Sequence, residues 1–338
     1  MFQSTFRSML VPFFECFVVN GFYCRPFIAK HSYIQIFYRV HIVADRSQQV
    51  DFSDCKDLYA LCNFAQVTAL YASCLPSLAD DEITAIAQTE GRYWFSWSSS
   101  LGAWISSDGK SVEVLVHEDA RNDDLNALTL GFTSSLTGAC LNLQGRVAIH
   151  ANAVYFRDRA IAFVGASGAG KSTLSTFCIQ QEMGLLTDDV LILDEDDRVL
   201  PGNPRLKLYP HTGVALQLDI PETTDYKVFY DARSLDIEAA PAPVPLHAIC
   251  LLEGGADVSK ATALTIPASQ AIFDLLNNSY VVREFSDALP RLVDRYQALT
   301  QTVPVFRLLY PHDFTQLPSV YELLKDELLE GGVKVSSL

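Results

Sequence analysis

An apolar run that stops at a glycine-rich turn and resumes as a helix constrains the middle of this chain more than any other feature. Residues 160–177 read AIAFVGASGAGKSTLSTF. Ala160 to Val164 has the pattern of a strand covered on both faces. Ser172 onward, STLSTFCIQQ, opens a helix. Between them, Gly165, Ala166, Ser167, Gly168, Ala169 and Gly170 lead into Lys171, Ser172 and Thr173, fitting G-x-x-x-x-G-K-[ST]. Such a turn aims several backbone N–H groups into one concavity, where phosphate oxygens can sit. Its glycines permit backbone angles and a close approach that a Cβ would block. Lys171 is placed to reach the outer phosphates of a nucleoside triphosphate, and the Ser172 hydroxyl to ligate Mg²⁺.

The residues just before the loop read VAIHANAVYFRDRAIAFVGASG. Two strand-like runs are joined by Arg157-Asp158 or a neighbouring pair. That connection is too short for a parallel crossover, so the pattern predicts an antiparallel hairpin. With Arg157 and Asp158 at the turn, Phe156 faces Arg159, Tyr155 faces Ala160, and His150 falls opposite Gly165. A histidine in a strand is more often structural than catalytic; the register is what singles out His150.

After the helix comes MGLLTDDVLILDEDD. Leu185 and Leu186 read as the end of a short strand, followed by Asp188 and Asp189. In open α/β sheets, ligands sit at the carboxyl ends of strands. One carboxylate there can orient Mg²⁺; the other can take a proton from an attacking hydroxyl. Asp194, ending the apolar VLILD, is the alternative metal carboxylate. It ranks lower because it enters the charged run Glu195 to Arg198, which reads as a solvated hairpin turn. Arg205, Lys207 and Lys227 are further candidates to clamp phosphate or substrate.

H-x-N-A-V, a short hairpin, G-x-S-G-x-G-K-S-T and an apolar T-D-D-V together resemble the C-terminal domain of HPr kinase/phosphorylase. The resemblance is closer still to the HPr-kinase-related serine kinases, some of which modify peptides in lasso-peptide pathways. It covers roughly residues 125–320. It implies an α/β fold with a P-loop kinase core and a mixed sheet, of the type shared with phosphoenolpyruvate carboxykinases. It also implies that His150 and Asp189 assist deprotonation of a serine hydroxyl, with Asp188 and Ser172 near the metal. The family's glycine-rich E-x-R-G-x-G-I-I-N stretch is replaced here by VLPGNPRLKLYPHTGVALQ. The resemblance therefore does not extend to HPr as acceptor or to phosphorolysis.

The expected function is ATP- and Mg²⁺-dependent transfer of the γ-phosphoryl group to a hydroxyl, serine foremost, of a peptide, protein or small molecule. The alternatives are a nucleotide-dependent switch or ATPase, and an inactive nucleotide-binding protein. A net charge of −15 over 338 residues argues against a nucleic-acid partner, because phosphate contacts need clustered Lys and Arg. Eight cysteines without a C-x-x-C pair give no zinc pattern and fit a reducing, cytoplasmic compartment. The apolar start, MLVPFFECFVVNGFYC, is broken by Pro12 and Glu15 and reads as a first strand rather than a membrane segment. Self-association into a homo-oligomer is allowed.

The remaining pattern predicts three parts. Residues 1–120 form an N-terminal, β-rich α+β domain, with strands over Ser32–Asp45 and a meander from Arg92 that turns at Asp108-Gly109. Trp94, Trp97 and Trp104 in that meander suit packing better than a stacking platform. Residues 121–325 form the kinase domain, opened by a helix capped at Asn122–Asp124 and stopped at Gly145. Residues 326–338 are a tail.

Overall fold

The computed structural model describes residues 22–28, 36–43, 49–50, 66–72, 85–89, 91–98, 100–117, 132–202, 205–218, 227–231, 240, 242–255, 258–280, 288–330 and 336–337. The chain divides into two compact units, 1–144 and 145–338. The sequence-based boundary at 120/121 and this division differ in where they assign residues 121–144.

In the first unit, β1 (Phe22–Ile28), β2 (Ile36–Val43) and β3 (Gln49–Val50) form an antiparallel sheet. The predicted strand over residues 9–24 lies outside the described residues except where β1 begins. A five-stranded sheet joins β4 (Gln66–Ala72), β5 (Ala85–Thr89), β6 (Arg92–Ser98), β7 (Leu101–Ser106) and β8 (Ser111–His117). The strands β6 to β8 are the expected meander, β5 pairs antiparallel with β6 ahead of it, and β4 lies parallel to β8. Trp94 and Trp104 are cross-strand partners with ring centroids 5.2 Å apart. Trp94 is fully buried, so it packs the core rather than offering a platform; the side chain of Trp97 lies outside the described residues. At the turn, Asp108 Oδ1 accepts from Ser106 Oγ and from the Lys110 N–H. Gly109 has φ +67°, and a Cβ there would meet the Cys140 carbonyl at 2.3 Å, so the position requires glycine twice over. The helix start at Asn122–Asp124 lies outside the described residues. The helix itself is present over Phe132–Leu136, as a wider π winding, and continues as α1 (Thr137–Leu143). Gly145, at φ +82°, follows its last turn, as a helix stop should.

The second unit is built on a nine-stranded mixed sheet. Its hairpin joins β9 (Val147–Phe156) to β10 (Arg159–Val164) with Phe156 opposite Arg159 and Val164 opposite Ala151. That is the predicted register. The loop 165–170 leads to α2 (Lys171–Gln181). Next come β11 (Gly184–Thr187) and β12 (Val190–Leu193), both antiparallel to β9, then β13 (Arg198–Val199). A separate ribbon pairs β14 (Arg205–Leu208) with β15 (Val228–Asp231), with α3 (Pro210–Ala215) between them in sequence. The long β16 (Val244–Gly255) runs parallel to β10. After it come β17 (Thr262–Thr265), α4 (Ala268–Asn277), α5 (Leu289–Thr302) and β18 (Val305–Pro311), which is parallel to β16. The last helix, α6 (Leu317–Glu322), continues as a π winding over Leu323–Glu330, and β19 (Ser336–Ser337) pairs with β17.

The apolar run 160–164 is explained by this topology: β10 lies between β9 and β16, and Ala160 to Val164 are all buried. Phe163, Phe306 and Leu308 from the sheet pack with Leu174 and Cys178 from α2 and with Val320 and Leu324 from the last helix. Leu328 and Leu329, in the stretch read as a tail, are buried in the same core. Because β10, β16 and β18 are parallel, their carboxyl ends share one edge. The glycine loop leaves from that edge.

Candidate active site

The glycine loop adopts the conformation its glycines permit. Gly168 and Gly170 sit at φ +84° and +93°. A Cβ on Gly168 would meet nothing within 4 Å, whereas one on Gly170 would meet the Tyr310 hydroxyl at 2.2 Å. Tyr310, at the end of β18, donates that hydroxyl to the Ala169 carbonyl and so holds the loop against the sheet edge. Burial pushes its phenol up to about 12, which keeps it a donor. No side chain caps the start of α2. Gly168, Gly170, Ser172 and Thr173 instead line a cavity of ≈ 330 Å³, together with Ser167. Lys171 lines it too, although only 7% exposed; its ammonium donates to the carbonyls of Gly165 (2.7 Å) and Ala166 (3.2 Å). Burial pushes Lys171 down to about 8, against the pull of Asp189.

Strands β11 and β12 follow β9 as one interrupted strand. Thr187 lies opposite Ala153 and Val190 opposite His150. Asp188 and Asp189 form the kink between them, with Asp189 at φ +79°. The kink turns the two carboxylates to different partners. Asp188 is 8% exposed. Its Oδ1 accepts from Ser172 Oγ (3.2 Å) and from Asn152 Nδ2, and its Oδ2 accepts from the Lys207 N–H (2.6 Å). Burial, and then the charge of Asp189, push Asp188 up to about 6. Asp189 faces the cavity, with Oδ1 2.8 Å from His150 Nε2 and Oδ2 3.2 Å from Lys207 Nζ.

The structure thus brings together Lys171, Ser172, Asp188, Asp189 and His150, all proposed from sequence. Lys207 and Lys227 also line the cavity, Lys227 with its ammonium 5.3 Å over the Tyr209 ring. Arg205 does not: it is buried in β14 and is absent from the cavity wall. Asp194 accepts from Asp196 N, Arg198 N and Arg198 Nε in an exposed hairpin turn, away from the cavity.

Besides Tyr310, two supporting residues escaped the sequence reading. Asn152, 1% exposed in β9, donates to Asp188 Oδ1 and Ser175 Oγ and accepts from the Asp189 N–H at 3.3 Å. Its signal was available: an amide in an apolar strand, two residues from His150 and so on the same face. Tyr280 donates its hydroxyl to the Asp189 carbonyl at 2.7 Å, and its ring lies 5.6 Å from that of His150. It lies 91 residues from Asp189, so no local pattern connects the two.

The donor set suits an anion bearing several oxygens. Backbone N–H groups at an uncapped helix start and two cavity-lining lysines beside Lys171 favour phosphate. Among the described residues no group of three His, Cys, Asp or Glu is disposed to hold a metal. Ser172 and Asp188 would hold a divalent cation together with ligand oxygens, as Mg²⁺ usually prefers. No helix among the described residues is long and apolar enough to cross a membrane.

No family model matches the chain, and no curated protein matches it. Among solved structures, the Hpr(Ser) kinase/phosphatase from Coxiella burnetii resembles it at 16% identity and a TM-score of 0.31, over 54% of this chain and 97% of that one. A likeness that faint says nothing about activity, and the functional reading rests on the site's own geometry.

Proposed function

We propose that the unit 145–338 is an ATP- and Mg²⁺-dependent phosphotransferase that moves a γ-phosphoryl group onto a hydroxyl. The acceptor is a serine of a peptide or protein, or a hydroxyl of a small molecule. One observation carries the reading: the Asp189–His150 pair and the Lys171 end of the glycine loop line the same cavity. A base and a phosphate-binding loop thereby address one space.

The residues present fit such a substrate. The loop from Gly165 to Thr173 would hold phosphate oxygens, with open space at Gly168 for close approach. Ser172 and Asp188 would hold Mg²⁺, which supplies neutralising charge when bound. Lys171 neutralises charge on the moving phosphoryl group. Asp189 takes the proton of the acceptor hydroxyl as the new O–P bond forms. The bond to the β-phosphate breaks, and its electron pair leaves with ADP. His150 orients Asp189 through Oδ1, while Asn152 and Tyr280 fix the Asp189 backbone.

The test is a pair of isosteric substitutions. Asp189→Asn removes the proton acceptor and should lower turnover by roughly 10²- to 10⁴-fold with nucleotide affinity retained. Asp188→Asn should instead raise the Mg²⁺ concentration needed for half-maximal rate. Exchanged phenotypes would reverse the two assignments, and normal turnover in both variants would end the proposal.

A further inference from the structure

Lys207 is bound to both aspartates by different atoms. Its backbone N–H donates to Asp188 Oδ2, and its ammonium lies 3.2 Å from Asp189 Oδ2. The other oxygen of Asp189 is occupied by His150 Nε2. Each oxygen of the proposed base therefore has a cation or N–H partner, and the one on Oδ2 belongs to a flexible side chain. A lysine ammonium is a compact charge on a four-carbon stem, able to swing while its backbone stays fixed. Here the backbone is fixed twice, by Asp188 and by pairing with β15 opposite Phe229. Three lysines, Lys171, Lys207 and Lys227, line the same cavity. Lys207 and Lys227 both help hold Lys171 below its ordinary range, after burial. A phosphate in that cavity carries more charge than the single carboxylate that holds Lys207, and it competes for the same ammonium.

We infer that Lys207 couples nucleotide occupancy to the base: with ATP bound, its ammonium leaves Asp189 Oδ2 for the terminal phosphate, opening that oxygen to the acceptor's hydroxyl. The inference rests on the phosphotransferase reading above. It gives the site a reason not to present a bare carboxylate before the phosphoryl donor is in place. Lys207 is on this view a positioning residue with two alternative partners, Asp189 and the terminal phosphate. Proton balance is unchanged: Lys207 stays protonated in both positions, and the proton released from the acceptor goes to Asp189.

Two measurements test it on the full chain. The first is calorimetric binding of ATP, ADP and inorganic tripolyphosphate to the wild type, Lys207→Met and Lys207→Arg. Lys207→Met should weaken ATP by roughly 10- to 100-fold, the range for a charge-assisted hydrogen bond, and ADP by only a few fold. Lys207→Arg should keep the wild-type preference for ATP. Retained ADP binding shows that Lys207→Met is folded; if it is not, Lys207→Gln is read the same way. Equal losses for ATP and ADP, or no loss for either, overturn the inference and leave the phosphotransferase reading standing. Failure of the wild type to bind any of the three ligands would instead remove that reading itself. The second measurement follows the ε-¹³C resonance of Lys207 by NMR, assigned by its disappearance in Lys207→Arg. It should move with a non-hydrolysable ATP analogue and stay in place with ADP. Asp189→Asn without nucleotide should move it as well, because the carboxylate partner is gone. A resonance that ignores the ATP analogue means that Lys207 remains on Asp189, and the inference fails.

Discussion

Replacing Asn152 with alanine removes an amide that joins both aspartates to helix α2. Asn152 donates to the buried Asp188 carboxylate and to Ser175 Oγ at 3.0 Å, and accepts from the Asp189 N–H. A hydrogen bond to a charged group contributes about 1.5–3 kcal/mol, and a neutral one about 1 kcal/mol. Some of this returns if water enters the space left behind, so the expected net loss is about 2–4 kcal/mol. For a unit of this size that lowers the melting temperature by roughly 4–16 °C. Differential scanning calorimetry is the appropriate assay, because two units need not melt as one transition. Asn152→Asp provides the contrast. It has nearly the same shape but sets a second carboxylate against Asp188, so at neutral pH it should be worse than alanine. Acidification should recover part of the difference, once a shared proton can bridge the two groups. A melting temperature for Asn152→Ala within about 1 °C of wild type would refute the reasoning. So would an Asn152→Asp variant no less stable than the alanine variant at neutral pH.

Other consequences concern Asp188 and the loop. Because burial raises Asp188 from 3.8 to about 6, its protonated form is favoured in the folded chain. The associated stability is present below the unfolded value and is lost as pH rises through the folded one, about 3 kcal/mol at about 1.4 kcal/mol per pH unit. Urea midpoints across that window should show the decline, and Asp188→Asn should flatten it. The same protonation should raise the Mg²⁺ requirement of phosphoryl transfer below about pH 6, because the ligand must be ionised. Gly170→Ala should cost more than its φ strain alone, since its Cβ would meet the Tyr310 hydroxyl. Adding Tyr310→Phe removes that oxygen and should restore part of the melting temperature; a double variant no better than Gly170→Ala would contradict the clash.

The legible parts of the fold were those set by local pattern. The loop, its flanking strand and helix, and the hairpin register follow from spacing within about twenty residues; the pairing ends at Val164 opposite Ala151, one residue short of the expected His150–Gly165 position. Asp188 and Asp189 were legible as a polar pair after an apolar run. Their different partners were not, because those depend on the kink at Asp189 and on Asn152 across the sheet. Lys207 and Arg205 lie on the same face of β14 and look alike in sequence; only the fold separates the one that lines the cavity from the one that does not. Tyr310 reaches the loop from 141 residues away, where no periodicity can foretell a contact. Leu328 and Leu329 read as a tail because a short apolar pair near a chain end has no partner until the sheet is assembled.

The most direct measurement follows the γ-phosphoryl group itself. Wild-type protein and Lys171→Ala are each incubated with γ-labelled ATP and Mg²⁺, with and without an extract of the source cells, and the label is sorted into phosphate ester and free phosphate. The wild type should place label in a phosphate ester that depends on the extract, with little free phosphate. Lys171→Ala should stay folded and place label in neither. Label released only as free phosphate, with or without extract, would mean that water is the acceptor and that the Asp189–His150 pair does not serve a hydroxyl. Equal ester formation by Lys171→Ala would mean that the glycine loop does not hold the donor.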